Sequence, residues 1–432
     1  MRGARYPKYK PTGIAWLPEV PEGWDVRPLK EMASCNDEAI SESDTPIDAE
    51  IHYVEIGDVE FASGISNVSS MKFGDAPSRA RRKTRVGDII VSTVRTYLRA
   101  VAKIVHDDLI VSTGFAVLRP KTVSSDYLSY ACVSSSFTDQ VIAESTGISY
   151  PAISSSKLMR CRIPLPPLPI QRAIVAFLDG KCGKIDRWVA AKEREGALLK
   201  ELKQAMIAEA VTGATHVART DTARKMKPSG IPWLPEVPEG WKVKRVATLL
   251  KIKDCPSAPN EELLSVFLDR GVIRFSEGGE KRANATSKDL SRYQLVEVDD
   301  FVMNNQQAWR GSVGISRYRG IVSPAYFVVR LADCIDSKYA EYAFRSRPFV
   351  GVYELCSRGV GSIQRNLIWN MFKQQHLPLP PPAEQRAIVA YIEARAAKID
   401  AAVAGLEREV AAMKEYKQRL IADVVTGQKK VA

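Results

Sequence analysis

The chain has 432 residues, 45% hydrophobic and 26% charged, with a formal net charge of +12 at pH 7. That length exceeds one ordinary core and calls for two or more domains. No apolar run approaches the roughly 18–20 residues that span a bilayer, and no apolar stretch follows the basic N-terminus as an export signal requires.

The seven cysteines are scattered without a Cys-x-x-Cys pair, which fits a reducing cytoplasm, and four isolated histidines offer no metal site. The positive charge points to a polyanionic partner, with a merely solubilising surface as the alternative.

The first distinctive element is TGIAWLPEVPEGW, Thr12 to Trp24. Its prolines and glycines fix a loop around Trp16 and Trp24, which reads as packing rather than base stacking. About Asp25 to Pro169 follow, with short β-rich runs such as DIIVSTVR and GFAVLRP between Gly, Ser and Asp breakers. This stretch is expected to be a compact α+β domain. Within it SRARRKTR supplies Arg79, Arg81, Arg82, Lys83 and Arg85, and STVRTYLRA supplies Arg95, Tyr97 and Arg99. Such side chains reach phosphates and base edges in nucleic-acid readers. A solvated basic turn is the plain alternative for SRARRKTR.

Residues 170–213 read as one long helix, with prolines at its entrance and the glycine of VTG in the C-terminal capping position. Ile185, Val189, Leu199 and Met206 form an apolar seam, interrupted by Lys192, Gly196 and Lys203. Residues 214–228 are a linker.

At Ser229 the chain begins to repeat itself. SGIPWLPEVPEGW matches the first box at 11 of 13 positions, and Gln385–Gly427 matches Gln171–Gly213 at 24 of 43, so a whole domain is duplicated. The intervening sequence diverges. Its ordered echoes of the first copy (VSPAYFVVRL for VSTGFAVLRP, VDDFVMN for VGDIIVS) predict a shared fold with a different surface. One basic stretch carries Lys281 and Arg282. Another carries Asn304, Asn305, Gln306, Gln307, Trp309, Arg310, Arg317 and Arg319. Asn and Gln can pair bidentately with adenine, and Arg with guanine. As a strand, NNQQ would turn Asn304 and Gln306 to one face and Asn305 and Gln307 to the other. A polar strand end without a ligand is the alternative.

The second long helix, 384–427, has the more regular seam: Ile399, Val403, Leu406, Val410, Met413 and Leu420. Forty-three helical residues extend about 64 Å at about 1.5 Å each. Such a helix cannot bury its stripe alone, so the two helices are expected to pair. The boundaries become 1–169 (box and first recognition domain), 170–213, 214–228, 229–383 (box and second domain), 384–427, and a tail at 428–432.

No phosphate loop, dinucleotide fingerprint or [ND]PP[YF] box occurs. ELK (Glu201 to Lys203) and EYK (Glu415 to Lys417) fit helix surface better than a nuclease centre. Basic, duplicated, divergent domains without a reaction centre describe a binding protein. No catalytic residue and no metal site is expected. The competing readings are a tandem-domain protein scaffold without DNA readout and a stand-alone nuclease.

The two boxes, the PLPPxxxQRAIVA segments, the KID triplets at Lys184–Asp186 and Lys398–Asp400 and the VTG endings together resemble the specificity subunits of type I restriction–modification systems over nearly the whole chain. The resemblance implies an α+β fold of two mixed target-recognition domains in tandem, separated by two long antiparallel coiled-coil helices, with pseudo-twofold internal duplication. It further implies a non-catalytic, prokaryotic, cytoplasmic subunit that reads a bipartite asymmetric site in double-stranded DNA. Two adenine-methyltransferase subunits would dock on it, and motor–nuclease subunits through them. S-adenosylmethionine, ATP and Mg would sit in those partners, with no cofactor here. One departure is PIQR (Pro169 to Arg172) where the second copy has AEQR (Ala383 to Arg386). The missing first-turn acid predicts a first helix that frays more readily.

Overall fold

The computed structural model describes residues 4–61, 64–217, 224–253, 258–278, 289–359 and 365–431. It forms two compact units, Met1–Glu193 with Arg408–Ala432, and Arg194–Glu407. Two helices dominate the chain, Leu168–Thr212 and Pro382–Val425. Each unit takes the N-terminal part of its own helix and the C-terminal part of the other copy's, so the units cut through both helices where the sequence places boundaries at their starts.

Each box is a β-hairpin. Tyr9–Ile14 pairs with Leu17–Pro21, and Met226–Ile231 pairs with Leu234–Pro238 in the equivalent register. Gly13 and Gly230 turn the chain at φ +73° and +71°. Thr12 and Ser229 fasten the turn, each bonding to the leucine carbonyl five residues on and receiving the backbone N–H two residues on. Trp24 and Trp241 are buried; Trp233 packs edge-on to Phe349 with ring centroids 5.8 Å apart. Trp16 departs from the packing role expected of it, being 45% exposed beside a hollow lined by Tyr9, Pro11 and Asp423.

The box locks onto a helix end. Gly427 closes the second helix at φ +76°, and a Cβ there would lie 2.5 Å from Pro21 and 3.2 Å from the Trp24 ring. Gly213 closes the first helix at φ +82°, with the same distances to Pro238 and Trp241. The VTG glycine thus serves twice, as an αL terminator and as the one residue small enough for the box to approach.

The strand after each box closes its recognition domain against the strand before the helix, Asp25–Pro28 on Arg162–Leu165 and Lys242–Arg245 on His376–Leu379. Gln171 then ties the first helix start to the domain. It donates to the Pro166 carbonyl at 2.8 Å and accepts from the Ser124 N–H at 3.3 Å. Gln385, fully buried, donates to the Cys334 and Pro380 carbonyls and accepts from the Asp336 N–H at 2.7 Å.

The sequence echoes between the two recognition domains correspond to one sheet topology. Val101–Lys103, Ile89–Ser92, Phe115–Pro120 and Ala33–Cys35 form a four-stranded antiparallel sheet in that order. Val313–Ile315, Phe301–Asn304, Tyr326–Leu331 and Leu250–Ile252 repeat it. Both sheets pack on a helical hairpin, Ser125–Val133 with Ser135–Ala143 and Ser337–Arg345 with Arg347–Leu355. Asp88 and Asp300 cap the same turn by accepting the N–H three residues back. Their cations come from different places, Arg119 from the strand Phe115–Pro120 and Lys253 from just beyond Leu250–Ile252. Asp88 faces Arg119, whose guanidinium that hydrogen bond holds well above its usual range. Asp300 faces Lys253, where burial alone would lower the ammonium but Asp300 and Glu297 outweigh it.

The helices pair antiparallel within each unit. Lys417 reaches both oxygens of Asp186 in one unit, and Lys203 both oxygens of Asp400 in the other. Lys414 bonds to Glu193 at 2.9 Å and Lys200 to Glu407 at 3.0 Å. Each contact recurs at the repeat offset with the helices exchanged. Lys203 is therefore a register contact and no defect in the seam, and the KID aspartates and the ELK and EYK lysines are each other's partners. Ile185, Val189, Met206, Val403 and Leu420 are buried; Leu199, Ile399, Leu406, Val410 and Met413 are half-buried. Both helices begin at equivalent positions, Leu168 and Pro382, although only the second has an acid in its first turn. Ile170 packs on the first core, whereas Glu384 accepts from the Trp241 indole N–H at 2.8 Å and pairs with Arg224.

No helix among the described residues is long and apolar enough to cross a membrane. Alanine at Gly427 combines αL strain of about 1–2 kcal/mol with overpacking of about 1–3 kcal/mol. Gly13, at positive φ in open space, carries the first cost alone. Denaturant midpoints at unchanged slope should therefore fall further for Gly427→Ala than for Gly13→Ala, and equal losses would contradict the box–helix contact.

Candidate DNA interface

In each recognition domain one loop leaves the sheet at the same place. Thr93–Ala100 joins Ile89–Ser92 to Val101–Lys103, and Asn305–Ser312 joins Phe301–Asn304 to Val313–Ile315. A second segment follows each helical hairpin and packs against that loop. In the first domain Val94 and Ala152 form a β-bridge, and the Ile153 N–H donates to the Thr93 carbonyl at 2.8 Å. In the second, the Leu367 N–H donates to the Asn305 carbonyl at 3.1 Å.

The first loop carries Arg95, Tyr97 and Arg99. Arg95 and Arg99 flank a single 3-10 turn at φ +50° and +52°, a conformation costly for residues with a Cβ and often retained at functional positions. Arg99 pairs with Asp139 at 2.7 Å and lies 5.7 Å from the Phe61 ring centre. Arg95 lies over Tyr150 at 5.0 Å and has no carboxylate partner among the described residues. Tyr97 is 53% exposed.

SRARRKTR is not a free basic loop. Ala80–Lys83 is an edge strand on Leu109–Ser112. Arg79 pairs with Glu55, Arg85 with Glu38, and Arg81 with Glu42 at 3.0 Å while lying over Phe73. Arg82 is half-buried, its Nε without a partner among the described residues, and Lys83 is half-buried on the strand. Much of this run is neutralised within its own domain.

In the second domain only Asn304 is in a strand. Its side-chain oxygen accepts the Gln306 N–H at 3.1 Å, and the chain turns through Asn305–Gln307 into a 3-10 turn at Ala308–Arg310. The expected alternation of NNQQ therefore fails, because an asparagine side chain competes for the backbone and pulls it out of the ladder. Asn305 Oδ1 is buried without a hydrogen-bond partner among the described residues. Gln307 begins the turn, and the Gln306 carbonyl accepts from the Trp309 indole at 3.2 Å. Arg365 stacks on the Trp309 ring at 4.6 Å and exposed Arg310 lies at 5.7 Å. Arg317 and Arg319 lie elsewhere. Arg317 lines a polar hollow of about 580 Å3 with Arg270, Lys338 and Glu393; Arg319 pairs with Glu261 at 2.9 Å and Glu297 at 3.6 Å. Lys281 and Arg282 lie outside the described residues.

Residues 21–181 match the family model of the type I restriction modification DNA specificity domain. The chain is 24% identical over 363 residues to the EcoKI specificity subunit of Escherichia coli (strain K12), covering 79% of this chain and 74% of that one. With the MjaIX specificity subunit of Methanocaldococcus jannaschii it shares 23% identity over 315 residues, 68% of this chain and 64% of that one. A chain of a solved structure concerning complex assembly and conformational transition of the type I R-M system superposes with a TM-score of 0.63. That match has 21% identity and covers 94% of this chain and 98% of the other, which supports the fold. Over most of its length the chain is thus similar to type I restriction–modification specificity subunits, and residues 21–181 match their DNA specificity domain.

The sequence alone did not point to Arg365 or to the loop containing Ile148 and Tyr150, which reach the tips from distant parts of the chain. It also passed over Gln171 and Gln385, whose signal was present in the unchanged QRAIVA of both copies. The charges sort by partner. Arg310→Ala should weaken binding to all DNA sequences alike and flatten the dependence of log affinity on log salt by about 0.9. Arg319→Ala, which removes a cation already held by two carboxylates, should leave that slope unchanged. Titrations at two salt concentrations measure both.

Proposed function

We propose that this subunit reads a bipartite, asymmetric site in double-stranded DNA, one half-site per recognition domain, and is itself non-catalytic. The observation that carries this reading is one sheet topology, present twice, ending in chemically different tips: Arg95, Tyr97 and Tyr150 in one, Asn305, Trp309 and Arg365 in the other. Identical scaffold serves identical partners, and divergent tips serve different half-sites. The repeated boxes and helix starts would hold two adenine-methyltransferase subunits, one per strand of the site. Each would flip its target base into its own pocket. Motor–nuclease subunits would join through them. S-adenosylmethionine, ATP and Mg belong to those partners in this reading.

The experiment is to map methylated adenines genome-wide in cells with and without this gene, and to measure DNA binding by the purified complex against salt. The reading expects a two-part motif that vanishes with the gene and an affinity that falls steeply with salt. Salt-independent or absent DNA binding would favour a protein scaffold, and cleavage by this chain alone a nuclease. The paired helices are proposed to set the unread spacer. Four residues inserted near Gly196 or Gly405, about one turn or 6 Å, should lengthen the spacer by about two base pairs at about 3.4 Å each. Both half-sites should stay unchanged; altered half-sites would contradict a passive ruler.

A further inference from the structure

We propose that the first recognition domain reads thymine methyl groups, through an apolar tip formed by Leu98, Ile148 and Tyr150 beside Tyr97. This rests on the DNA reading above and assigns its chemistry in one half-site.

The tip is a built surface. Thr146 and Ala152 exchange both backbone hydrogen bonds at 2.9 Å, and the Thr96 and Ser145 hydroxyls meet at 2.8 Å. Gly147, at φ +109°, makes the tight turn, and a Cβ there would lie 3.1 Å from the Tyr150 carbonyl. At the apex Ile148 is 101% exposed, with Tyr150 at 66%, Tyr97 at 53% and Leu98 at 44%. Single exposed apolar residues are ordinary, but four concentrated on one pair of interlocked loops are not, and exposed apolar concentrations mark contact surfaces. Folding gains nothing from an isoleucine in that position.

The occupant follows from the surroundings. Arg95, stacked on Tyr150 and free of carboxylates among the described residues, sets a cation at the rim where a phosphate can meet it. The tip lies within the part of the chain that matches the DNA specificity domain. On the major-groove edges of the four bases the thymine C5-methyl is the one apolar group. An apolar side chain pressed on a donor or acceptor strips its water and returns no hydrogen bond. An isoleucine or leucine at the groove therefore selects for methyl and against the other edges. On the corresponding loop the second domain carries Trp309 with Arg365 and Arg310 near its ring, so methyl dependence should be confined to the first half-site.

Uracil differs from thymine by that methyl alone. Once the site is mapped, the complex of the full chain with its methyltransferase partners is titrated with duplexes carrying uracil for thymine, one position at a time, in both half-sites. Removing one contacted methyl should weaken wild-type binding about three- to fivefold. Ile148→Ser or Tyr150→Ser should abolish that sensitivity while leaving discrimination in the second half-site intact, which also shows that the variants fold. Specific binding without uracil sensitivity in the first half-site, or sensitivity unchanged in both variants, overturns the proposal alone. Failure to prefer the mapped site over random duplex overturns the DNA reading and this proposal together.

Discussion

The seat of each tryptophan box on a helix-ending glycine is the contact on which the rest of the architecture depends. Trp24 and Pro21 close over Gly427, and Trp241 and Pro238 close over Gly213, where no side chain larger than hydrogen fits. In the second unit the helix leads through the chain itself to the box it meets. In the first the same closure joins opposite ends of the chain: Tyr9 donates to the Gly427 carbonyl at 2.7 Å, and the Lys430 N–H to the Ala4 carbonyl at 2.8 Å. Each recognition domain is thereby held at both ends, by its box on one helix and by its buried glutamine at the start of the other. A domain tied in this way can diverge in its loops without losing its place.

The helix contacts supply register more than stability. Exposed ion pairs contribute little, about 0.2–1 kcal/mol each, and the middle of the seam is thin, with half-buried Leu199 and Leu406 beside Gly196. Lys417, with only 12% of its side chain exposed, has less freedom to satisfy itself elsewhere than Lys200 at 63%. A slip of the pairing would strand such a lysine, and its aspartate, without a partner. Because the same lysine–aspartate contact occurs in both units, one register satisfies both. The junction at the helix start shows how much the copies tolerate: an Arg224–Glu384 pair under Trp241 in one, Tyr6 and Ile170 about Trp24 in the other.

The parts of the fold legible in the sequence were those fixed by local rules applied twice. Proline entrances and VTG exits marked the helices, and the ordered echoes of VGDIIVS in VDDFVMN and of VSTGFAVLRP in VSPAYFVVRL anticipated a common sheet. What escaped was set by contacts between distant residues. Lys203 looked like a flaw in an apolar stripe because its partner Asp400 lies on the other helix. Arg79, Arg81 and Arg85 looked free because Glu55, Glu42 and Glu38 are far off in sequence. NNQQ looked extended because the Asn304 bond to the backbone is invisible to periodicity. Ile148 had no periodic company at all, and its exposure became meaningful only once its loop was found fastened to the loop that carries Tyr97 and Leu98.

A chain of residues 1 to about 225 tests the central claim most directly. It retains one box, one recognition domain and one helix ending in Gly213. Trp24 would lack its seat, since Gly427 is gone, unless a second copy offers its own Gly213. Two halves should then close each other's boxes and pair Lys203 with Asp186, so that adenine-methylation mapping in cells expressing the half-chain with its methyltransferase returns a symmetric inverted repeat of the first half-site. An asymmetric motif from that half-chain would contradict the account.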